Sequence, residues 1–319
     1  MSATLSRNVE TNKACITIDS ACDLPRSFIN KHAIRVLPIK LKLGNTTFVD
    51  TRDPAQTIKM YSSQRLHQNY IAESEAASVS EISSIFENDI APQYDNVLAI
   101  TISSKRSEIY KNVKESVFVG CDRFKSARKK QGNSSPLRIQ VVDSQALFPG
   151  QGLLAYEAVR LLKAGIPVPK IAAHIEKVKN TVKGFLLPEN LYYLNKRASI
   201  KGDKSVSWLS YKIGSMMDIK PIIEAQHGET FTSGKAKGFE DGLKQIFQRA
   251  NSAIESGLTI NAINMSYAGN PKVIENNRDY QMFINDAKAR GVKTLLSVMS
   301  TTAAVNVGPG AFSLAFAEK

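Results

Sequence analysis

At 319 residues, with 43% hydrophobic and 22% charged residues, the chain has the composition of a globular protein large enough for two domains. Its 42 Lys plus Arg against 29 Asp plus Glu leave a net charge of +13, which suits nucleic acid, an anionic membrane or an acidic partner. The basic residues are spread along helical stretches, which sets nucleic acid aside. No apolar run approaches the roughly 18 residues of a membrane span, and no leader-like core opens the chain. Three cysteines form neither a paired framework nor a zinc spacing. A soluble, cytoplasmic protein is expected.

From Ala14 to Asp19 the residues read as an apolar strand. The strand runs into the polar loop Ser20-Ala21-Cys22-Asp23 and then a helix that Asp23 caps and Pro25 opens. Ile34 to Leu43 reads as a strand pair, or one strand bent at Pro38, with alternating apolar and basic residues from Ile39. Gly44-Asn45 turns the chain back through Thr46 to Asp50 as a hairpin. Residues 54–70 read as helix, with Ile58, Tyr61 and Leu66 as buried positions. Ser78 with Glu81 makes a capping box for a helix carrying Ile82, Ile85, Phe86 and Ile90.

The strand Val97 to Ile102 ends in Ser103-Ser104, and Ser107 to Lys130 reads as one long helix. Its end, Arg123 to Lys130, is read as solvated, since cations suit a helix C-terminus. Leu137 to Asp143 is again a strand, ending at Ser144, and Gly152 to Ala164 is a helix stopped by Gly165. Strand, loop and helix in repetition imply a parallel sheet with crossovers. The hydroxyl-bearing strand ends then share one edge, where ligands bind in such sheets.

Past Pro167-Val168-Pro169 the pattern changes. Lys170 to Val182 is helical, Phe185 to Glu189 a short strand, and Asn190 to Lys196 a helix. Ile219 to Ala225 and Thr230 to Thr232 form a hairpin around Gln226-His227-Gly228-Glu229. A helix from Phe239 to Gly257 follows. Strands are then read at 259–267, 292–299 and 311–317, with a helix at 278–290 between the first two. The fold class expected is α/β, with a parallel-sheet domain at 14–166 and an α+β domain at 167–319. The histidines at 32, 67, 174 and 227 show no metal spacing, so neither metal nor cofactor is expected.

The ordered motifs match a known pattern. Asp19-Ser20-Ala21-Cys22-Asp23-Leu24-Pro25 is followed by Val36-Leu37-Pro38-Ile39, Ser103-Ser104 with Ser107 and Tyr110, and Val142-Asp143-Ser144 with Gly150 and Gly152. Leu191-Tyr192-Tyr193-Leu194, Asp218-Ile219-Lys220-Pro221, Lys237-Gly238 and Gly308-Pro309-Gly310 complete the order. In this the chain resembles the DegV family over about residues 14–317. The resemblance implies a DegV-like two-domain fold with a ligand cleft between the domains. It further implies a non-catalytic protein that holds a fatty acid, as the fatty-acid-binding subunit of bacterial fatty acid kinase does, and presents it to a separate kinase.

Carried over residue by residue, the family's carboxylate-binding Thr becomes Ser74, beside Glu75. The family's Ser-Gly-Thr-Tyr falls on Ser107-Glu108-Ile109-Tyr110. A family His is Asn306 here, a family Arg is Ser199, with Arg197 or Lys196 as its substitute, and a family Ser is Phe148. The expected ligand-binding residues are thus Ser74, Ser107, Asn306, Ser20, Ser104, Ser144 and Arg197. N-capping is the competing role for the four serines at 20, 104, 107 and 144. Losing two cations and gaining two acids predicts that a neutral acyl lipid binds better than a free fatty acid, because an unpaired buried carboxylate is costly. The partners expected are therefore a fatty acid or neutral acyl lipid, a kinase, and transient membrane contact. The alternative is an interaction protein whose pocket has been altered or filled, with Phe148, Glu75 and Glu108 as the blocking groups.

Overall fold

The computed structural model describes residues 13–62, 72–201 and 218–319. The chain opens with β1 (Ala14–Asp19), α1 (Arg26–Lys31) and β2 (Arg35–Leu37). A small antiparallel unit follows: β3 (Ile39–Leu43), β4 (Thr46–Val49), α2 (Pro54–Ser62) and β5 (Ala72–Ala76). Then come α3 (Val79–Ile85), continued by a π turn at Phe86–Ile90, β6 (Asn96–Thr101), α4 (Ile109–Lys130), β7 (Arg138–Asp143) and α5 (Pro149–Lys163). The second half runs α6 (Val168–Val178), β8 (Val182–Leu187), α7 (Leu191–Lys201), β9 (Ile219–Gln226), β10 (Glu229–Lys237) and α8 (Gly238–Ser256). It closes with β11 (Ala262–Tyr267), α9 (Lys272–Glu275), α10 (Arg278–Ala289), β12 (Lys293–Val298), α11 (Thr301–Val307) and β13 (Phe312–Ala317).

Among the described residues the strands form three sheets. The first is parallel, in the order β2-β1-β6-β7, and its central strands are buried almost throughout. Continuous apolar sequence is what a strand covered on both faces requires. The second, β10-β9-β8-β13-β11-β12, is antiparallel except for the pair β11–β12. The third, β4-β3-β5, is antiparallel. Helix α5 packs against β1 and β6 of the first sheet and against β8, β11 and β13 of the second. Its Gly152 is required there: a Cβ would lie 2.3 Å from the Asp23 carbonyl oxygen and 2.4 Å from Asn264 Nδ2. Asn264 itself donates to the carbonyls of Asp23 (2.7 Å) and Pro149 (2.9 Å), binding the layers together. Helix α6 follows Pro167 but packs on β6 and β7 of the first sheet.

Several expectations change. Asp23 does not cap α1; Pro25 takes that place, and the fully buried Asp23 accepts from the Ser300 N–H (2.8 Å) and pairs with Arg52 (3.3 Å). Pro38 separates β2 and β3 into different sheets. In the basic run, Arg128 is 2% exposed. Its guanidinium bonds the carbonyls of Ala91, Tyr94 and Ser135 and the Asp95 carboxylate. The Ala91 and Tyr94 carbonyls follow α3's π turn and the Ser135 carbonyl belongs to the loop after α4, so the side chain caps the first and ties down the second. Burial works against the charge on Asp95, but the bonds from Arg128 and Asn133 prevail and hold its pKa down. The capping box at Ser78 forms as read. Leu66 lies outside the described residues.

Candidate functional site

A cavity of about 720 Å³ opens where the three sheets meet, within the roughly 300–1,000 Å³ usual for ligand pockets. One wall follows the C-terminal ends of the parallel strands: Ala21 after β1, Ile102 and Ser104 to Glu108 after β6, and Leu147 and Phe148 after β7. Ile39 and Ser74 come from the third sheet, Leu186, Ile223 and Thr230 from the second, and Leu194 from α7. Thr302, Asn306 and Val307 come from α11. Apolar side chains thus form most of the interior, with hydroxyl, amide and charged groups gathered among Ser74–Ser78, Ser104–Glu108 and Asn306. Ser104, Lys105, Glu108, Glu75 and Ser78 are exposed, so this polar end faces solvent.

Four of the expected ligand residues share this cavity: Ser74, Ser104, Ser107 and Asn306. Ser74 sits on β5 opposite Leu41 of β3. Ser104 is committed to Asp143, donating its hydroxyl to Oδ2 (2.5 Å) and its N–H to Oδ1 (3.1 Å). The Ser107 hydroxyl accepts from the Ile109 N–H (3.3 Å) at the start of α4, leaving its proton to donate. Asn306 donates to the Thr302 carbonyl one turn back (2.7 Å), so its carbonyl oxygen and second N–H remain for a ligand.

The others lie elsewhere. Ser20, fully buried, accepts from the Ile39 N–H (3.1 Å) and donates to the Asp50 carbonyl (3.0 Å), joining β1 to the link between the first and third sheets. Ser144, also fully buried, accepts from the Ala146 N–H (3.1 Å) as a local turn. Neither lines the cavity. The Arg197 side chain falls outside the described residues.

The placement of α11 depends on buried acids of the first half. Asp50 Oδ2 accepts both the N–H (2.8 Å) and the hydroxyl (2.9 Å) of Thr302. Asp23 accepts the Ser300 N–H, and the Ser300 hydroxyl in turn caps the helix at Ala303. Negative charge suits that helix end. Asp19, at the end of β1, accepts from Ala21, Ile102 and Gln151. Burial nonetheless pushes its pKa up to about 6, and burial raises Asp23 as well. Beside Ser78, which lines the cavity, the Lys40 ammonium and the Ser78 N–H and hydroxyl hold Glu81 down at about 2.

Sequence reasoning passed over Lys105 and Arg106, although they stand between two serines it selected. Both contact the tip of the β9–β10 hairpin: Lys105 pairs with Glu229 (2.5 Å) and Arg106 donates to Thr230 Oγ1 (2.9 Å). The Gly228 N–H reaches the Gln145 carbonyl (2.7 Å), and a Cβ at Gly228 would lie 2.6 Å from Ser103 Oγ. The hairpin therefore closes over the loops that carry the polar end. These partners are separated by 124 residues, so no local pattern could announce them. Phe148 lines the cavity at a strained φ of 46°, yet the space remains open. Among the described residues no group of three His, Cys, Asp or Glu side chains could hold a metal, and no helix is long and apolar enough to cross a membrane.

Comparison with known proteins agrees with this architecture. The family model for DegV, described as an uncharacterised protein family, matches residues 13–319. DegV domain-containing proteins of Xanthomonas campestris and Xanthomonas axonopodis are each 36% identical over 302 residues, covering 95% of this chain and 96% of theirs. A stearic acid-binding protein from Eubacterium ventriosum superposes with a TM-score of 0.74 at 19% identity, covering 95% of this chain and 98% of that one. DegV of Bacillus subtilis, described as a fatty acid binding protein, gives 0.72 at 18% identity, covering 97% and 100%.

Proposed function

Because the chain belongs to the DegV family, we propose that its cavity holds the acyl chain of a lipid and that the protein is a carrier, not a catalyst. The observation that carries this reading is the cavity itself: an apolar interior closed by helices and sheets, with hydroxyl and amide groups at the solvent-facing end. Solved relatives described as fatty-acid-binding support it. Phe148, Glu75 and Glu108 all line the cavity, and about 720 Å³ persists beside them, which counts against a lost pocket.

The head group would meet Ser74, Ser107 and Asn306, where a second protein can reach it. Presentation to a kinase or acyl-transfer partner follows from that exposure, and the basic surface suits an acidic partner or brief contact with an anionic membrane. We take the chain as two domains, 14–166 and 167–319, meeting at the cavity. The parallel sheet belongs wholly to the first range and the six-stranded sheet to the second, while α6 crosses back. Three free cysteines are consistent with the cytoplasm.

The test is organic-solvent extraction of the purified protein followed by mass spectrometry. A near-stoichiometric acyl lipid is expected. No lipid, together with no binding of added palmitic acid or hexadecanol, would refute the carrier reading.

A further inference from the structure

We propose that the exposed face of α4, centred on Phe118, docks on an anionic lipid bilayer and brings the cavity mouth to the membrane surface. The proposal rests on the carrier reading and deepens it by assigning the surface at which ligand is taken up or given back. Phe118 is 85% exposed in the middle of this 22-residue helix, and Val119 beside it is 53% exposed. The other exposed large apolar side chains among the described residues, Val49, Phe231, Val273 and Met282, reach at most 56%. A helix ordinarily turns such groups to the core, as α4 does with Ile109, Val113 and Phe124.

The charges around Phe118 identify the partner. Lys114 and Lys111 lie one and two turns before it, and Lys125 and Lys129 two and three turns after it, on the same side of the helix. Over the whole of α4 six exposed cations, these four lysines with Arg123 and Lys130, stand against two exposed acids, Glu115 and Asp122. Lys125 pairs with Asp122 at 3.4 Å and Lys111 with Glu108 at 3.8 Å, but both pairs are solvated and exchange for lipid phosphates at little cost. Lysine stems can lie along apolar surface while their ammonium groups reach the head groups. A protein partner would have to offer one apolar pocket ringed by acids. An anionic bilayer offers apolar depth beneath a layer of negative charge at every position.

The placement of α4 ties this face to the cavity. Ser107 and Glu108 line the polar end, and the helix begins at the next residue. Phe118 stands ten residues beyond Glu108, about 15 Å along the helix axis. A helix lying in the plane of the interface therefore sets the cavity mouth within about that distance of lipid.

The experiment is vesicle flotation of the full chain. Vesicles of phosphatidylcholine alone are compared with vesicles that contain about 30% phosphatidylglycerol. Wild type, Phe118→Ser, the double variant Lys114→Gln/Lys125→Gln and Met282→Ser are each tested, and each is also titrated with a soluble fluorescent acyl probe. Wild type should float with the anionic vesicles only, and salt of about 0.5 M should release it. Phe118→Ser should weaken binding about 10-fold, and the double lysine variant about 10- to 30-fold. Met282→Ser should float like wild type, and every variant should keep the wild-type affinity for the probe. Equal flotation with neutral vesicles, no flotation at all, an unaffected Phe118→Ser, or an equal loss in Met282→Ser would overturn the assignment. A wild-type dimer that Phe118→Ser dissociates would overturn it in favour of self-association. In each of these cases probe binding by wild type leaves the carrier reading intact, whereas a wild type that binds no acyl probe overturns both.

Discussion

Replacing Asp50 with alanine isolates the contact that positions α11 against the cavity. The carboxylate is 4% exposed and accepts three hydrogen bonds: the Thr302 N–H at 2.8 Å, the Thr302 hydroxyl at 2.9 Å and the Arg52 N–H at 3.0 Å. Buried bonds to a charged acceptor contribute about 1.5–3 kcal/mol each, and these share one carboxylate, so their joint loss should cost about 4 kcal/mol. Arg52 keeps Asp23 at 3.3 Å, so no cation is orphaned to inflate the figure. With an unfolding entropy of about 2.1 cal/mol/K per residue, a chain of this length loses roughly 6 °C in Tm for that change. Asn306 and Val307 ride on the same helix, so affinity for a fluorescent acyl probe should fall at least about tenfold. Thr302→Val removes only the hydroxyl bond and should cost about 1.5–2 kcal/mol. Thermal and urea unfolding, run beside the probe titration, measure both effects. A cost below about 1 kcal/mol for Asp50→Ala, or equal costs for the two variants, would refute the reasoning.

Further outcomes follow from the same geometry. Gly152→Ala forces a Cβ against the Asp23 carbonyl and Asn264, and should destabilise by about 3 kcal/mol in urea unfolding; a neutral substitution would mean the layers can part. Arg128→Met strands three carbonyls and Asp95, at about 3–5 kcal/mol, whereas loss of a solvated helix-end cation would cost well under 1 kcal/mol. Burial pushes Asp19 up to about 6, while its unfolded value is about 3.9. Between those pH values the folded state holds a proton that the unfolded chain has released, so stability should fall as pH rises from about 4 to 6, by about 3 kcal/mol. Asp19→Asn should flatten that segment of the stability profile, and an unaltered slope would show that another group causes it.

Where one interaction dominates locally, the sequence was a sufficient guide. The runs that became β1 and β6 are buried on both faces, and the Ser78–Glu81 box satisfies its own backbone. Strand β5 was hidden because Glu73-Ser74-Glu75 carries no apolar alternation. What makes it a strand is its pairing with β3, where Glu73 meets Lys42 and Glu75 meets Lys40 across the ladder. The alternating lysines of Ile39 to Leu43 were the one visible half of that match. Helix α11 is short and rich in β-branched residues, and its start is fixed by Asp23 and Asp50 from the opposite end of the chain. Arg128 sits in a run that looks uniformly solvated, and only tertiary packing singles it out.

In the site, hydroxyl residues at strand ends were found readily, but their duties were not separable. Ser20 and Ser144 satisfy backbone groups, Ser104 holds Asp143, and Ser74 and Ser107 are left to the cavity. Serine at such a junction serves a turn or a ligand equally well, and the choice depends on which backbone groups approach it from other strands.

The central claim is that the cavity between the sheets holds an acyl chain, and anomalous diffraction from crystals grown with a bromine-labelled palmitic acid tests it most directly. The account predicts a bromine peak within the walls formed by Ile39, Ile102, Leu186, Ile223 and Val307, with the acid's head toward Ser74 and Ser107. A bromine peak found only on the outer surface, with the cavity empty at saturating ligand, would contradict it.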